Sequence, residues 1–332
     1  MRNFRSVERT TDNGTVKYSL TVAISIVAAY PISTKGCRHQ LNITQTDTSA
    51  FAIKVEAHSQ SSTTKFFFVS DAHFDSPLCD RVKLKRDLDA AMNRDAIIVS
   101  LGDWFDAMQS RNDPRRTKAG ARPEHRRDDY VNAMIDDTVD FLKPYASNIA
   151  IMAEGNHESA FRKQTGVDLN ALVCQQIGCM AGGYTGFIVL RTSLFKNNAG
   201  RKVVVIAWDH GRGNGGEVTL GTIQHQRRSV MFPQADLVVS GHIHERTYVS
   251  HCSSHINLVG RVSVREQHHA TVPGYLDNWN GGKGGFGVEK LKPKPIGGLN
   301  AEVTITASSR PSKKVQGSHS THISHAIHLS FT

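Results

Sequence analysis

The stretch Phe66-Phe-Phe-Val-Ser-Asp-Ala-His73 joins a run of consecutive apolar residues directly to a carboxylic acid and an imidazole. Short apolar runs that are rich in aromatic and β-branched residues are typical of strands buried on both faces. Four more runs of this kind cover residues 96–101, 149–152, 203–207 and 235–239. The sequence therefore predicts five buried strands.

Amphipathic helices are predicted between these strands. Residues 81–94 and 128–145 carry apolar side chains at helical spacing, and residues 168–177 and 217–231 show the same pattern more weakly. Strands that alternate with helices favour an α/β domain with largely parallel strand pairing.

Length and composition fit an ordinary globular protein. A chain of 332 residues can form two average domains or one large α/β domain with extensions. With 39% hydrophobic and 21% charged residues, it is neither collagen-like, nor a coiled coil, nor wholly disordered. The five cysteines include no CxxC pair, which argues against a disulfide framework and against a structural zinc site.

Composition divides the chain into three segments. Residues 1–62 are polar and rich in Ser and Thr, and we interpret them as an N-terminal extension of undetermined structure. Residues 63–308 are expected to form the main domain. Residues 309–332 contain Pro, Ser and Lys, and a histidine at every third position from His319 to His328. We expect a flexible tail there, rather than a helix that binds metal through these histidines.

One apolar run, residues 20–32, is too short to cross a bilayer, which needs ~20 residues. A signal-peptide core is the alternative, but acids interrupt the basic lead and no clear cleavage site follows. We expect a cytoplasmic protein that does not associate with membranes.

Each predicted strand runs into residues that can bind metals or move protons. Because the carboxyl ends of strands in an open α/β sheet line one crevice, these residues are expected to converge. The set contains two aspartates, one asparagine and four histidines: Asp71, His73, Asp103, Asn156, His210, His242 and His244. Without a cation, burying such groups together would cost several kcal/mol for each unpaired ion.

Divalent cations would remove this cost. Carboxylate and amide oxygens combined with imidazole nitrogens suit manganese, iron, zinc or nickel better than calcium, and we expect manganese. Seven donors give two ions about four contacts each if Asp103 bridges them. Two ions roughly 3.5–4 Å apart can activate water and hold a phosphate ester for in-line hydrolysis. Asp106, three residues after Asp103, is placed to orient an imidazole from behind.

The same residues fall into five ordered motifs: Asp71-x-His73, Gly102-Asp103-x-x-Asp106, Gly155-Asn156-His157-Glu158, His210 and Gly241-His242-x-His244. In these motifs, which lie within residues 65–306, the chain resembles the calcineurin-like metallophosphoesterase superfamily. The resemblance implies a four-layer αββα sandwich of two mixed β-sheets flanked by helices. It assigns Asp71, His73 and His244 to one metal, Asn156, His210 and His242 to the other, and Asp103 to both. It further implies that His157 is a non-ligand that stabilises or protonates the leaving oxygen, with Asp106 behind it.

Basic residues indicate a phosphate-ester substrate that carries negative charge, with nucleic acid among the candidates. The formal net charge is +10, and the sequence pI is about 9.4. Arg115 and Arg116, in the loop after Asp106, and Arg212, beside His210, are predicted to bind substrate, because guanidinium groups bind phosphate bidentately. A solvated basic loop with no such partner is the alternative.

The sequence thus predicts a metal-dependent phosphoric ester hydrolase and favours a phosphodiesterase or nuclease that acts on nucleic acid or nucleotides. A phosphomonoesterase, acting on small molecules or on phosphoproteins, is the alternative. Protein Ser/Thr phosphatases of the superfamily usually continue Gly-Asp-x-x-Asp with Arg-Gly, whereas Ala107-Met108 follows here. A non-catalytic metal-binding interaction module is the alternative of another class, and such members tend to lose the histidine that corresponds to His157.

Overall fold

The computed structural model describes residues 6–12, 15–21, 41–108, 120–196, 199–216, 218–279, 292–311 and 319–332. The chain divides into two compact units, residues 1–39 and residues 40–332. In the first unit, β1 (Ser6–Asp12) and β2 (Thr15–Thr21) form an antiparallel pair in which Ser6 lies opposite Thr21.

Two β-sheets form the centre of the second unit. Its strands are, in chain order, β3 (Ile43–Asp47), β4 (Ala50–Glu56), β5 (Ser61–Val69), β6 (Ile97–Ser100), β7 (Ile149–Ala153), β8 (Met180–Gly182), β9 (Thr185–Phe195), β10 (Ala199–Asp209), β11 (Leu237–Ser240), β12 (Thr247–Ile256), β13 (Val262–Thr271), β14 (Leu299–Pro311) and β15 (His319–Phe331). One sheet has seven strands in the order β12-β13-β11-β10-β9-β4-β3, and the other has six in the order β15-β14-β5-β6-β7-β8. Both sheets are mixed: β5 to β8 pair in parallel, as do β10 with β11 and β4 with β9, whereas the outer pairs β14–β15 and β12–β13 are antiparallel.

The helices are α1 (Arg81–Asn93), α2 (Tyr130–Leu142), α3 (Asn156–Thr165), α4 (Leu169–Ile177) and α5 (Thr222–Met231). Buried side chains of α1, α2 and α4 pack on the six-stranded sheet, and α5 packs against β12 and β13 of the seven-stranded sheet. The predicted architecture of two mixed sheets with helices is therefore confirmed.

Strand β5 explains why the run Phe66-Phe-Phe-Val69 is apolar at consecutive positions. Successive side chains of a strand point to opposite faces of the sheet. Phe66 and Phe68 accordingly pack into the layer between the two sheets, whereas Phe67 and Val69 pack into the layer beneath the helices. All four side chains are at most 1% exposed. Both faces of β5 are therefore covered, as the sequence predicted.

Helices α1, α2 and α4 begin within about two residues of the predicted positions. Helix α5 begins at Thr222, later than the residue 217 that the sequence predicted. The N-terminus of α1 shows how such a boundary is fixed, because Asp80 accepts a hydrogen bond of 2.9 Å from the backbone N–H of Lys83. Helix α3 was not predicted; it begins within the Gly155-Asn156-His157-Glu158 motif. No helix of the described residues is long and apolar enough to cross a lipid bilayer.

The structure corrects the interpretation of both ends of the second unit. Part of the segment that we expected to be an extension, residues 43–56, forms β3 and β4, which join the seven-stranded sheet through β9. The expected flexible tail instead contains β15, which pairs with β14 along its whole length. In β15 the residues at alternate positions Ile323, Ile327, Leu329 and Phe331 pack against the core. The period of two, rather than the spacing of the histidines, determines the structure of this segment.

Candidate metal centre

The predicted site residues follow the ends of five strands, three in one sheet and two in the other. Strands β5, β6 and β7 of the six-stranded sheet lead into Asp71, Asp103 and Asn156, and β10 and β11 of the seven-stranded sheet lead into His210 and His242. Among the described side chains that could hold a metal ion, two groups consist entirely of predicted donors: Asp71, His73 and His244 in the first, and Asp103, His210 and His242 in the second. Within each group, one donor atom from each residue lies within 4.8 Å of the others. Each group draws residues from both sheets.

The backbone at these positions has an uncommon conformation. Five of the site residues have positive φ, which is rare outside glycine: Asp71 (49°), His73 (42°), Asp103 (49°), His242 (72°) and His244 (52°). Left-handed backbone at non-glycine residues persists only where the surrounding structure enforces it, and it concentrates at functional sites. The turns after the strands therefore aim these side chains at one place.

Two glycines make the close approach of these turns possible. Gly102 has φ of 106°, and an added Cβ there would lie 2.6 Å from the backbone nitrogen of Gly155. At Gly241 an added Cβ would lie 2.5 Å from Asp71 Oδ2 and would overlap Ser70. A side chain at either position would push the donor-bearing turns apart.

In the first group, the donors have lone pairs that the protein does not satisfy. Asp71 Oδ2 accepts hydrogen bonds from the backbone N–H of His242 at 2.8 Å and from Ser70 Oγ at 2.5 Å. Asp71 Oδ1 is buried, has no hydrogen-bond partner among the described residues and lies 3.4 Å from His244 Nε2. His73 Nδ1 donates to Asp106 Oδ1 at 3.1 Å, so Nε2 is the ring nitrogen that could bind a metal. This arrangement fits a cation between the three side chains.

In the second group, side-chain oxygen and nitrogen atoms converge. His210 Nδ1–H donates to the carbonyl oxygen of Leu101 at 2.9 Å, so that Nε2 is the ring nitrogen that faces the other donors. This Nε2 lies 3.1 Å from Asp103 Oδ2 and 3.2 Å from Asn156 Oδ1. His242 Nδ1 is 2.7 Å from the same Asn156 oxygen. A metal ion could bind among these atoms in place of the proton of His210, and the donor chemistry suits manganese, iron, zinc or nickel.

The electrostatics of the protein alone favour positive charge at this place. Burial opposes protonation of His210, but the Asp103 carboxylate outweighs burial and raises the pKa of His210 to about 10. At His73 burial is likewise outweighed, chiefly by Asp106, and the pKa rises to about 9. Burial also opposes ionisation of Asp103, yet His210 and His157 hold the pKa of Asp103 below its usual value. The carboxylates therefore attract cations into a buried site.

His157 lies beside both groups but is held differently. Its backbone N–H donates to Asp103 Oδ1 at 2.9 Å, and its Nδ1–H donates to the backbone carbonyl oxygen of Asp106 at 2.6 Å. His157 Nε2 lies 4.0 Å from Asp103 Oδ2, and the ring stands edge-on to His73. The Asp106 carboxylate lies closer to His73, at 3.1 Å, than to His157 Nδ1, at 3.6 Å. The Asp106 carboxylate therefore orients His73, and the Asp106 backbone carbonyl orients His157.

Two buried carboxylates that the sequence analysis did not assign hold the site together. Glu158 accepts hydrogen bonds from the backbone N–H groups of Asp103 (3.1 Å), Phe105 (3.0 Å) and Gly155 (2.9 Å). Burial and the nearby Asp103 raise the pKa of Glu158 to about 8. In the motif Gly155-Asn156-His157-Glu158, Glu158 lies three residues after Gly155, which is the N-cap residue of α3. A glutamate at this position typically accepts a hydrogen bond from the backbone N–H of the N-cap residue, so the motif contained a signal for Glu158.

Asp75 is the second of these carboxylates. It accepts hydrogen bonds from the backbone N–H groups of Asp106 (2.6 Å) and Ala107 (3.0 Å) and from the Tyr130 hydroxyl (2.8 Å). Its position two residues after His73 gave no indication of partners that lie more than thirty residues further along the chain. Asp75 thereby fixes the turn that carries Asp106.

The structure tests the predicted arginines only in part. Arg115 and Arg116 lie outside the described residues. Arg212 is exposed, and its Nη2 lies 3.6 Å from Asp209 Oδ1, beside His210. A guanidinium group is thus present at the edge of the second donor group.

Comparison with known proteins identifies the family. The family model of calcineurin-like phosphoesterases matches residues 64–246, a range that includes every donor described above. A predicted phosphoesterase of Streptococcus pneumoniae is 11% identical, over 79% of this chain and 99% of that chain, with a TM-score of 0.29. Vps29 of Chaetomium thermophilum is 8% identical, over 80% of this chain and 96% of that chain, with a TM-score of 0.35. Both likenesses are distant, and no curated protein matches the chain. The family model, however, matches more than half of the chain, and the protein therefore belongs to the calcineurin-like phosphoesterase family.

Proposed function

We propose that this protein hydrolyses phosphate esters and that two divalent metal ions, one in each donor group, serve the reaction. The position of Asp103 carries the proposal. Its Oδ2 lies 3.1 Å from His210 of the second group. The same buried carboxylate acts electrostatically on His73 and His244 of the first group. One carboxylate near both groups is the arrangement that a bridging ligand requires.

Each part of the chain then has a distinct task. Bound divalent ions would activate a water molecule and hold the oxygens of a phosphate ester for in-line attack. The seven donors fix the positions of the ions, and Glu158 and Asp75 fix the turns that carry the donors. Family membership and the donor set together support hydrolysis as the reaction class. Manganese is the metal that we propose for both positions.

His157 is proposed to act on the leaving group. Its Nδ1–H is engaged by the Asp106 carbonyl oxygen, which fixes the ring. Nε2 is therefore the atom that can carry a proton, and the side chain is 14% exposed, so a substrate can reach it. A positioned general acid contributes roughly 10²–10⁴-fold to the rate.

We further propose that the substrate is a phosphodiester, in nucleic acid or in a nucleotide. The formal net charge of +10 and the exposed Arg212 beside His210 support a polyanionic substrate. A phosphomonoester is the alternative substrate. A non-catalytic role has less support, because all seven donors and His157 are present and lie together.

The test of hydrolysis uses metal-depleted protein to which manganese is returned. We expect cleavage of an aryl phosphodiester at a higher kcat/KM than that of the matching monoester. His157→Ala should lower kcat by about 10²–10⁴-fold while the bound manganese, measured by elemental analysis, stays at two ions per chain. His255→Ala, at an exposed histidine, is the control and should keep full activity.

Metal content separates the alternatives. Asp103→Asn should lower the affinity for both ions, because the neutral amide is a weaker bridge. Full activity of His157→Ala would refute the role of that residue, and absence of hydrolysis with two ions bound would support the interaction module. A preference for the monoester would refute the diesterase.

Salt dependence distinguishes nucleic acid from a nucleotide. The association constant for an oligonucleotide should fall steeply as the salt concentration is raised. Arg212→Ala should reduce the slope of the logarithm of this constant against the logarithm of the salt concentration by about 1. A flat response would exclude a nucleic-acid substrate.

A further inference from the structure

Helix α4 ends in a turn that brings two cysteines together. Gly178 has a left-handed backbone, with φ of 79°. The backbone N–H groups of Gly178 and Cys179 both donate to the carbonyl oxygen of Cys174, at 2.8 Å and 3.2 Å. In this type of helix ending, the side chain that follows the glycine folds back onto the side chain one turn earlier. At this ending both side chains are thiols.

The two sulfur atoms lie 3.2 Å apart. A disulfide bond needs a separation of about 2.05 Å and places its Cα atoms roughly 4.4–6.8 Å apart. Backbone hydrogen bonds already hold the two residues across one helical turn, so the sulfur atoms have to approach by only about 1 Å. We propose that Cys174 and Cys179 are a redox pair that forms a reversible disulfide within the chain.

The surroundings decide which thiol reacts first. Cys174 is 4% exposed, whereas Cys179 is partly exposed, so Cys179 is the thiol that a reagent in solution can reach. The hydrogen bond with Cys174 and burial raise the pKa of Cys179 well above its usual value. The thiolate is the nucleophile, so exchange should be slow at neutral pH and should accelerate as pH rises.

The reaction balances with a low-molecular-weight disulfide, such as oxidised glutathione, as the oxidant. The Cys179 thiolate attacks one sulfur of the reagent, which forms a mixed disulfide and releases one thiol. The Cys174 sulfur, as its proton leaves, then attacks Cys179 Sγ and releases the second thiol. Two electrons and two protons pass from the protein to the reagent.

The disulfide would join the end of α4 to the beginning of β8. Met180, the residue after Cys179, lies opposite Ile151 of β7. Asn170 of α4 donates a hydrogen bond of 2.8 Å to the carbonyl oxygen of Ala153, at the end of β7. Strand β7 leads directly to Asn156 of the metal centre. Oxidation would therefore constrain the element that supports one of the donors, without using any donor.

Peptide mapping of the full chain tests the proposal. Reduced protein is equilibrated in its folded state with glutathione buffers of increasing oxidising strength, quenched with acid, denatured, alkylated and digested with trypsin. Residues 164–191 contain both cysteines and no internal Lys or Arg, so one tryptic peptide reports the pair. We expect this peptide to carry no alkyl group and to weigh two hydrogen atoms less than the reduced, unalkylated peptide, with the fraction oxidised following a two-electron titration.

The variants separate this pair from the other described cysteines. Cys79→Ser and Cys252→Ser should leave the titration unchanged. Cys174→Ser should stop the reaction at a glutathione adduct on Cys179, and Cys179→Ser should leave Cys174 reduced. The wild-type mapping needs no variant and decides the question if a substitution prevents folding.

Three results would overturn the proposal. The first is alkylation of both thiols across the whole range of buffers. The second is a bond from either cysteine to a third cysteine or to another chain. The third is a lasting glutathione adduct on the wild-type protein, which would mean that Cys174 cannot reach Cys179.

Discussion

The carboxylate of Glu158 accepts a hydrogen bond of 3.1 Å from the backbone N–H of Asp103, although 55 residues separate the two along the chain. The same oxygen accepts from Gly155, and the other carboxylate oxygen accepts from Phe105. A single buried side chain thereby ties the turn of the proposed bridging aspartate to the turn of Asn156. The spacing of the two turns depends on this carboxylate.

Glu158→Gln tests that dependence. Glutamine has nearly the same shape, but its NH₂ group cannot accept a hydrogen bond, so at least one backbone N–H loses its partner. Loss of a group that orients metal ligands typically lowers metal affinity by about 10–100-fold, and we expect a loss of this size for manganese. Titration calorimetry measures it, with Glu266→Gln, at an exposed glutamate, as the control. Unchanged affinity in Glu158→Gln would refute the positioning role.

Gly241→Ala tests the close approach of β11 to β5. The new methyl group would overlap Ser70 and lie 2.5 Å from Asp71 Oδ2, so Asp71 has to move. We expect the free energy of unfolding to fall by about 1–3 kcal/mol and manganese to bind more weakly. Gly183→Ala is the matched control, because its Cβ would come no closer than 3.7 Å to another residue. Urea unfolding with and without manganese measures both effects, and equal results for the two variants would contradict the prediction.

Arg228→Met tests the buried ion pair that lies behind His210. Arg228 Nε is 2.9 Å from Asp209 Oδ2, and the two side chains are 5% and 3% exposed. Removing the arginine leaves the buried carboxylate with only the exposed Arg212, 3.6 Å away, as a cationic neighbour. Loss of one partner of a buried ion pair typically costs about 3–5 kcal/mol. The double variant Arg228→Met, Asp209→Asn removes that charge and should recover part of the loss. Denaturant unfolding of the two single variants and the double variant measures the coupling, and simple additivity would show that the pair is not coupled.

Acid is expected to destabilise the fold through two buried histidines of the seven-stranded sheet region. Burial, together with Arg228 and His251, lowers the pKa of His225 from 6.5 to about 4. Burial and the neighbouring His225 and His251 lower the pKa of His269 to about 3. When the pH falls below the ordinary histidine pKa of 6.5, these two histidines become protonated in the unfolded chain but stay neutral in the folded chain. The free energy of unfolding should therefore fall as pH is lowered from about 7 to 5.

Urea unfolding across this pH range measures the effect. His225→Gln should reduce the slope of stability against pH, because glutamine does not titrate. His322→Gln, at an exposed histidine, should leave the slope as it is. Equal slopes for His225→Gln and the wild-type protein would contradict the assignment.

The sequence predicted the features that follow from local pattern. Consecutive apolar residues identified the central strands, and the polar residues at the end of each strand identified the site, because parallel strands bring their carboxyl ends together. All seven predicted donors lie in or beside the two donor groups. Two sheets were expected only through the family resemblance, since periodicity does not reveal how strands divide between layers.

The features that the sequence analysis missed depend on distant partners or on a weaker pattern. Asp75 bonds to the backbone of Asp106, and no local signal connects them. In β15 the alternate apolar residues Ile323, Ile327, Leu329 and Phe331 were a strand signal, but the regular spacing of the histidines obscured it. Phe51 of β4 is fully buried within a segment whose overall composition is polar. An average over a segment therefore hides a short strand.

Both donor groups take side chains from both sheets. A bound ion would therefore link two layers that are otherwise joined by apolar side chains and by a few hydrogen bonds, such as that from His242 to Asp71. Removal of the metal by a chelator would therefore loosen the packing of the two sheets on each other. Amide hydrogen exchange in β5 and β11, in the interior of the protein, should become faster.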